Sequence, residues 1–463
     1  MRITLHGAAG DVTGSAYHVQ TAAASVLVDF GLFQGVDNAE QFNRLPRALK
    51  EARLDAVLLT HAHLDHTGRL PLLPKNGYAG PIFCTPATIE LTALILRDSA
   101  KVQTQDLERF NRKRQRANQP PLDPLYTSAD VEATIQLLRA VPYNEPVPVA
   151  PGIRARFVEA GHMLGSASIE LTVEEASRKW TVVFSGDIGP KGAPILRDAR
   201  CLPKANLVFL ESTYGDRNHK PLRETIAEFE SIVKGVVARK GKLLVPTFAI
   251  GRAQLLLYLL GSMFRSGAVA KFPIYVDSPM AIEATKIYFN HPELFDEEAR
   301  VFNEEQFLTE ALSTMKPTAT ADESRALNDV VGPCLIMAGA GMCNAGRIVH
   351  HLKQNLWRPE ASVLIVGFQA EGSLGRQLVD GGKLVSIFGE SVAVKASIHT
   401  LGGFSAHAGQ GELLEWFDCM VETRPQVVLT HGEDRGREPL AKLIKERYLL
   451  NARLPRMGDS IEL

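Results

Sequence analysis

The 463-residue sequence is poor in cysteine, carries almost no net charge and contains no long apolar run. Its five cysteines, Cys84, Cys201, Cys334, Cys343 and Cys419, are odd in number, scattered and without CxxC spacing. They predict neither a disulfide framework nor a thiolate zinc site, and buried or idle thiols are expected. No stretch approaches the roughly 18 apolar residues of a membrane helix, so no membrane partner is expected. The opening residues MRITLHGAAGDVTGS lack the basic start and apolar core of a signal peptide, which predicts a cytoplasmic protein. With a net charge of -1 there is no global positive field, so a nucleic-acid partner would have to be held by locally arranged basic groups.

What is present is the texture of a globular α/β protein long enough for two domains. Short runs rich in Val, Ile, Leu and Phe recur at Ala24–Phe30, Asp55–Thr60, Arg154–Val158, Ala167–Val173, Trp180–Ser185 and Asn206–Leu210. Several lack period-2 alternation, as strands buried on both faces do. Helices are predicted over Thr88–Gln105 and Ser128–Ala140. A second series starts near residue 240. It reads GKLLVPT, a helix from Ala253, FPIYVDS, a helix from Met280, GPCLIMA, a helix from Gly346, SVLIVG and a helix near Leu374. Such alternation predicts an open, mostly parallel sheet. From about Lys383 the texture is β-rich again, followed by Arg424–Thr430 and a closing helix near Glu438–Leu449.

Six apolar runs end in an imidazole or carboxylate: SVLVD at Asp29, AVLLTH at His61, RFVEAGH at His162, TVVFSGD at Asp187, NLVFLE at Glu211 and QVVLTH at His431. Active groups of α/β folds gather at the carboxyl ends of strands, so these six are expected to converge rather than to cap strands separately. The segment His61-Ala62-His63-Leu64-Asp65-His66 is the strongest local motif. Positions two apart on an extended chain face the same way, so His61 and His63 can grip one ion. If a helix follows, Asp65 and His66 can reach a second. Nitrogen and oxygen donors in this number suit zinc. His162 and His431 can each complete one site and Asp187 can bridge both, giving seven protein ligands and room for a water. Asp29 better suits a supporting role on the far nitrogen of a histidine.

These residues resemble the motifs of the metallo-β-lactamase superfamily and, within it, of the β-CASP nucleases that process RNA. Proteins similar to the cleavage subunit of the mRNA 3′-end machinery are the nearest match. Asp29, His61–His66, His162 and Asp187 match four motifs in order. Glu211 in LESTYGDR, His407 in Phe404-Ser405-Ala406-His407 and His431 in LTHGE match those that the β-CASP group adds. VTGSAY, GHMLGSAS, PTFAIGRAQ, DSPMA, AGAGMCNAGR and GFQAEGSLGR are also similar to this branch. The resemblance implies an αββα sandwich over 1–208 and 388–463, with an inserted α/β β-CASP domain over 209–387. It implies one zinc on His61, His63 and His162, another on Asp65, His66 and His431, and Asp187 between them. It also implies a Glu211–His407 pair in which His407 is the general acid for the leaving oxygen. The activity implied is hydrolysis of RNA phosphodiester bonds, internally, from the 5′ end, or both.

Single-stranded RNA is the expected partner, and homo-oligomerisation is left open. Arg252, Arg347 and Arg376, each after a glycine and near a helix start, are candidate phosphate contacts, as is Ser405 by resemblance. Arg69 also follows a glycine. The run Arg109–Arg116 is the most basic segment, and it reads either as an RNA path or as a solvated helix face. Two other functions are considered. A hydrolase of a small ester or thioester would share His61–His66, His162 and Asp187 without needing Glu211, His407 or the insert. An RNA-binding subunit without activity would lack metal ligands that are all present here.

Overall fold

The computed structural model describes residues 1–463 except 176, 305–311, 368, 370 and 371. Phe368, Ala370 and Glu371 of the GFQAEGSLGR stretch therefore lie outside the described residues. The chain forms two compact units, one of Met1–Gly192, Asp198–Asn218 and His407–Leu463, the other of Ala193–Arg197 and His219–Ala406.

The first unit holds two seven-stranded sheets of matching design. One runs Ser460–Glu462, Arg2–Leu5, Tyr17–Gln20, Ser25–Val28, Ala56–Leu58, Ile82–Cys84, Leu138–Ala140. Its first three pairings are antiparallel and its last three parallel. The other runs Ala452–Arg453, Gln426–Thr430, Leu207–Glu211, Arg178–Phe184, Ala167–Glu175, Ile153–Glu159, Val147–Ala150, with three parallel pairings and then three antiparallel. Side chains alternate across each strand. Val26 and Val28 share an inner core with Phe157, Ile169, Phe184 and Phe209 of the second sheet. Leu27 and Val57 turn outward against Leu96 and Ala100 of a helix over Pro86–Arg116. Val183, Val208 and Val427 turn outward from the second sheet against Phe417, Leu440 and Ile444 of helices Gln410–Asp418 and Asp434–Tyr448. The layers are therefore helix, sheet, sheet, helix, and burial on both faces explains why the sequence of these strands shows little alternation.

Two helix expectations are corrected. The helix expected over Thr88–Gln105 spans Pro86–Arg116, capped by the Thr85 hydroxyl and opened by Pro86. None of its residues after Ala100 is buried. The helix expected over Ser128–Ala140 stops at Leu137, because Leu138–Ala140 pairs in parallel with Ile82–Cys84 at the sheet edge. That pairing overrides the local helical pattern.

The second unit contains a wholly parallel six-stranded sheet in the order Met315–Pro317, Ile274–Val276, Cys334–Ala338, Lys242–Pro246, Ser362–Ile365, Ser397–Thr400. Helices Arg252–Arg265, Pro279–Asn290, Arg347–Asn355 and Leu374–Val379 fall between the strands as the alternation predicts. A hairpin of Leu384–Ile387 and Glu390–Ala393 adds the later β-rich segment.

The expectation of unpaired thiols is wrong for two residues. Cys201 and Cys419 form a disulfide, their Cα atoms 6.0 Å apart, while Cys84, Cys334 and Cys343 are free and buried. The bonded pair is separated by 218 residues that include most of the second unit, so sequence spacing gave no sign of it. Among the described residues no helix is long and apolar enough to cross a membrane.

Candidate metal centre

All six strand endings lie in the first unit and arrive at one place. Ser25–Val28 and Ala56–Leu58 are parallel neighbours, so Asp29 and His61 leave the first sheet side by side. Arg178–Phe184, Leu207–Glu211 and Gln426–Thr430 are parallel neighbours in the second sheet and deliver Asp187, Glu211 and His431. His162 follows the strand Ile153–Glu159. His63 extends from His61 and caps the short helix Leu64–Thr67, which carries Asp65 and His66. The loops are tightly stacked: a Cβ on Gly31 would lie 1.5 Å from the Asp65 carbonyl oxygen. Asp29 and His431 both hold left-handed backbone, at φ 57° and 47°. Strained conformations of non-glycine residues persist where surrounding structure fixes them, commonly at functional sites.

His61 Nε2 and His162 Nε2 lie 3.1 Å and 3.0 Å from His63 Nδ1. The same two Nε2 atoms lie 3.4 Å and 3.5 Å from Asp187 Oδ2. Four donors at about 2.1 Å from a tetrahedral zinc stand about 3.4 Å apart, so this spacing fits one ion. On the other side, Asp187 Oδ1 is 3.3 Å from His66 Nε2 and 3.4 Å from His431 Nδ1. Asp65 Oδ2 is 3.4 Å from His431 Nε2 and 3.9 Å from His66 Nε2. Among the described residues three overlapping groups could hold a metal: His61, His63, His162 and Asp187; Asp65, His66 and His431; and Asp187, His407 and His431. Asp187 faces the first set of imidazoles through Oδ2 and faces His66 and His431 through Oδ1. Both oxygens of Asp187, and His66 Nε2, are buried without a hydrogen bond of normal geometry. An ion between these groups would satisfy all three atoms.

The electrostatics divide the histidines: burial lowers His61 and His63, whereas Asp187 and Asp29 outweigh burial and raise His66 well above the ordinary imidazole value. Burial opposes charge on Asp187, yet the imidazoles of His431, His66 and His61 hold its carboxyl well below the usual range. Burial drives the His61 imidazole well below its ordinary value, toward the neutral form that ligates metal. Asp29 stands beside His66. Its Oδ2 is 2.7 Å from His66 Nδ1, the nitrogen facing away from Asp187. Thr60 donates its N–H and hydroxyl to the same carboxylate, at 2.8 Å and 2.7 Å.

His407 and Glu211 stand beside this cluster. His407 Nδ1 is 3.2 Å from Glu211 Oε1 and 4.0 Å from Asp187 Oδ2. Glu211 is fully buried and also accepts the Ile188 N–H at 2.7 Å. Burial alone would lower the His407 pKa, but Glu211 and Asp187 outweigh it and push it up to about 9. The imidazolium is therefore the form favoured at neutral pH.

The proposed substrate contacts Arg252, Arg347, Arg376 and Ser405 belong to the second unit. Arg252 Nη1 donates to the Val366 carbonyl at 2.5 Å, and Arg376 Nε to Asp380 at 2.9 Å. Arg347 donates to Asp277 Oδ1 at 2.6 Å and to the carbonyls of Thr318 and Ala319 at 2.9 Å and 2.6 Å. Its fork is thus committed within the unit.

Sequence reasoning missed three supports of the site. Thr60 stands in Leu-Thr-His, a triplet repeated at Leu429-Thr430-His431, and that repetition is the one signal that could have exposed it. Thr213 lies 3.1 Å from His431 Nδ1. Arg69, weighed above only as one of the Gly-Arg pairs, is fully buried. It donates to the carbonyls of Gly31, Phe42, His6 and Gly14, and its guanidinium lies over the rings of Phe30 and Phe33.

Comparison with known proteins agrees with this geometry. The metallo-β-lactamase superfamily matches residues 9–246, the Beta-Casp domain 253–378, and a Zn-dependent metallo-hydrolase RNA specificity domain 391–455. A protein of Thermus thermophilus named Ribonuclease TTHA0252 is 39% identical, covering 100% of both chains. Transcription termination factor FttA of Pyrococcus abyssi is 34% identical over 100% of this chain and 71% of its own, and that of Thermococcus kodakarensis 32% over 100% and 71%. A crystal structure of a protein of unknown function from Enterococcus faecalis V583 shares the fold, with TM-score 0.57 at 13% identity over 100% of this chain and 99% of that one. Two stacked sheets with His and Asp groups at their strand ends, followed by a parallel-sheet unit and matched end to end by these relatives, place the chain in the metallo-β-lactamase superfamily, in its β-CASP branch.

Proposed function

We propose that this chain is a zinc-dependent ribonuclease that hydrolyses RNA phosphodiester bonds. His61, His63 and His162 would hold one zinc, Asp65, His66 and His431 a second, and Asp187 both. A pair of such cations activates water and offsets charge on a phosphoryl group. The observation that carries the reading is the Glu211–His407 pair beside the seven converging ligands. Hydrolysis of a small activated ester needs no such donor, whereas an expelled sugar oxygen does. With Nδ1 held toward Glu211, proton delivery falls to His407 Nε2, and the Glu211 carboxylate keeps the imidazolium charged and oriented until the proton leaves. The relatives named for ribonuclease activity and transcription termination favour RNA over DNA.

We place the protein in the cytoplasm, acting on single-stranded RNA as an endonuclease, a 5′-exonuclease, or both. The test is incubation with matched RNA and DNA, each labelled at the 5′ end and internally. RNA should be cut, and a chelator should abolish cutting. Cleavage of DNA alone, or chelator-resistant cleavage, overturns the reading.

A further inference from the structure

The outer half of the helix Pro86–Arg116 is rich in helix-forming Lys, Gln and Arg but buries none of its residues. Its inner end is fixed beside the metal centre, where the hydroxyls of Thr85 and Thr88 donate to the carbonyl of Gly165, three residues after His162, at 2.7 Å and 2.8 Å. From there it runs on with no buried residue after Ala100. At 1.5 Å per residue, Arg109 lies roughly 35 Å along the axis from its start and Arg116 roughly 45 Å.

This tip concentrates positive charge. Residues 109–116 carry Arg109, Arg112, Lys113, Arg114 and Arg116 and no acidic group, in a chain whose net charge is -1. Arg109 and Lys113, and Arg112 and Arg116, are spaced i,i+4, a repulsion offset by the helix dipole, which favours Lys113, Arg114 and Arg116 in the last turn. Among the described residues Asp106 and Glu108 pair with Arg109 and Arg112 at 3.7 Å and 3.8 Å, and exposed pairs of this kind contribute little.

The fold nevertheless holds these turns helical. The Asn111 side chain makes reciprocal 2.9 Å hydrogen bonds with the backbone of Leu122, and Arg114 Nε donates to the Pro120 carbonyl at 2.8 Å. Phe110, 48% exposed, stands among the cations, with the Arg114 guanidinium 5.9 Å from its ring. An exposed aromatic among cations is the pattern that takes stacked bases and a phosphate backbone.

We propose that residues 101–124 form an arm that binds the backbone of single-stranded RNA, with Phe110 stacking on a base, remote from the scissile bond. The inference rests on the ribonuclease reading and adds a distant substrate anchor to it. The arm acts on affinity for long RNA and takes no part in bond cleavage.

The test compares the zinc-loaded full chain with an Arg112→Gln/Lys113→Gln/Arg116→Gln variant; glutamine is a good helix former, so the arm keeps its fold. Each lost phosphate contact should make the plot of log affinity against log salt shallower by about 0.7, so the variant's slope should fall by about 2. Affinity for a long unstructured RNA should drop at least tenfold, while turnover of a tetranucleotide and of bis(p-nitrophenyl) phosphate stays at the parent's level. Phe110→Ala should weaken long-RNA binding roughly fivefold or more at unchanged slope. A parent that binds long RNA and a triple variant that matches it in affinity and slope overturn the arm alone, leaving it a solvated or protein-docking surface. A parent that hydrolyses the small diester but binds no RNA overturns the ribonuclease reading, and the arm with it.

Discussion

The Asp29 carboxylate sits 2.7 Å from His66 Nδ1 and fixes the ring so that Nε2 faces Asp187. Asp29→Asn keeps the shape but removes the charge beside His66, a proposed ligand. Metal affinity should fall by about 10- to 100-fold, measured by titration against a competing chelator. Parent-like affinity would show that His66 needs no such partner.

His407 also groups with Asp187 and His431 as a possible metal holder but belongs to neither proposed zinc site, so on the proton-donor reading His407→Ala should keep most bound metal while RNA cleavage falls about 10²- to 10⁴-fold. Metal content by mass spectrometry and single-turnover rates read the two effects separately. Unchanged turnover would remove the proposed proton donor.

Arg69→Met retains the length of the side chain and loses every donor, leaving four carbonyls in the loops around Asp65 without their partner. Stability should drop by about 3 kcal/mol or more. Arg69→Lys should rescue little, because an ammonium cannot span the same fork of acceptors. Thermal unfolding of both variants decides it, and a midpoint within two degrees of the parent for Arg69→Met would refute the bracing role.

Asp277 gives a pH signature in the second unit. Burial raises its pKa, but hydrogen bonds from His351, Ser324, Thr318 and Arg347 outweigh burial and bring it down from 3.8 to about 2. A depressed carboxylate stabilises the fold above its ordinary pKa, and that contribution disappears as the pH falls from about 4 to 2. It amounts to roughly 2 kcal/mol. Denaturant unfolding of parent and Asp277→Asn should therefore differ most near pH 5 and converge toward pH 2. A constant gap across that range would contradict the assignment.

Reduction of Cys201–Cys419 opens a closed loop of 218 residues. Cys201→Ser, or reductant on the parent, should lower stability by about 2–5 kcal/mol. Reductant should leave the Cys201→Ser/Cys419→Ser variant unmoved, and an equal response from variant and parent would assign the effect elsewhere.

The site was more legible in the sequence than its supports were. His61 to His66 fall within six consecutive residues and His162, Asp187 and His431 each end an apolar run, so local pattern was enough to single out the residues that the structure brings together. Asp29 was legible for the same reason. Arg69 was not, because the carbonyls of Gly14, Gly31 and Phe42 come from loops whose approach no spacing records. The edge strand Leu138–Ala140 was read as helix because its partner Ile82–Cys84 is more than 50 residues away. The disulfide was hidden by the insertion between its halves. Long-range contacts of these kinds are fixed by tertiary packing, which single-sequence patterns register poorly.

The order of the ligands along the chain has a consequence for synthesis. His61, His63, His162 and Asp187 all leave the ribosome before residue 219, whereas His407 and His431 follow residue 406. A nascent polypeptide paused anywhere within that interval has one set of imidazoles complete and the other short of a member. It also lacks His407, the proposed proton donor, so on the proposed reading no truncated translation product ending before residue 407 carries the full hydrolytic apparatus.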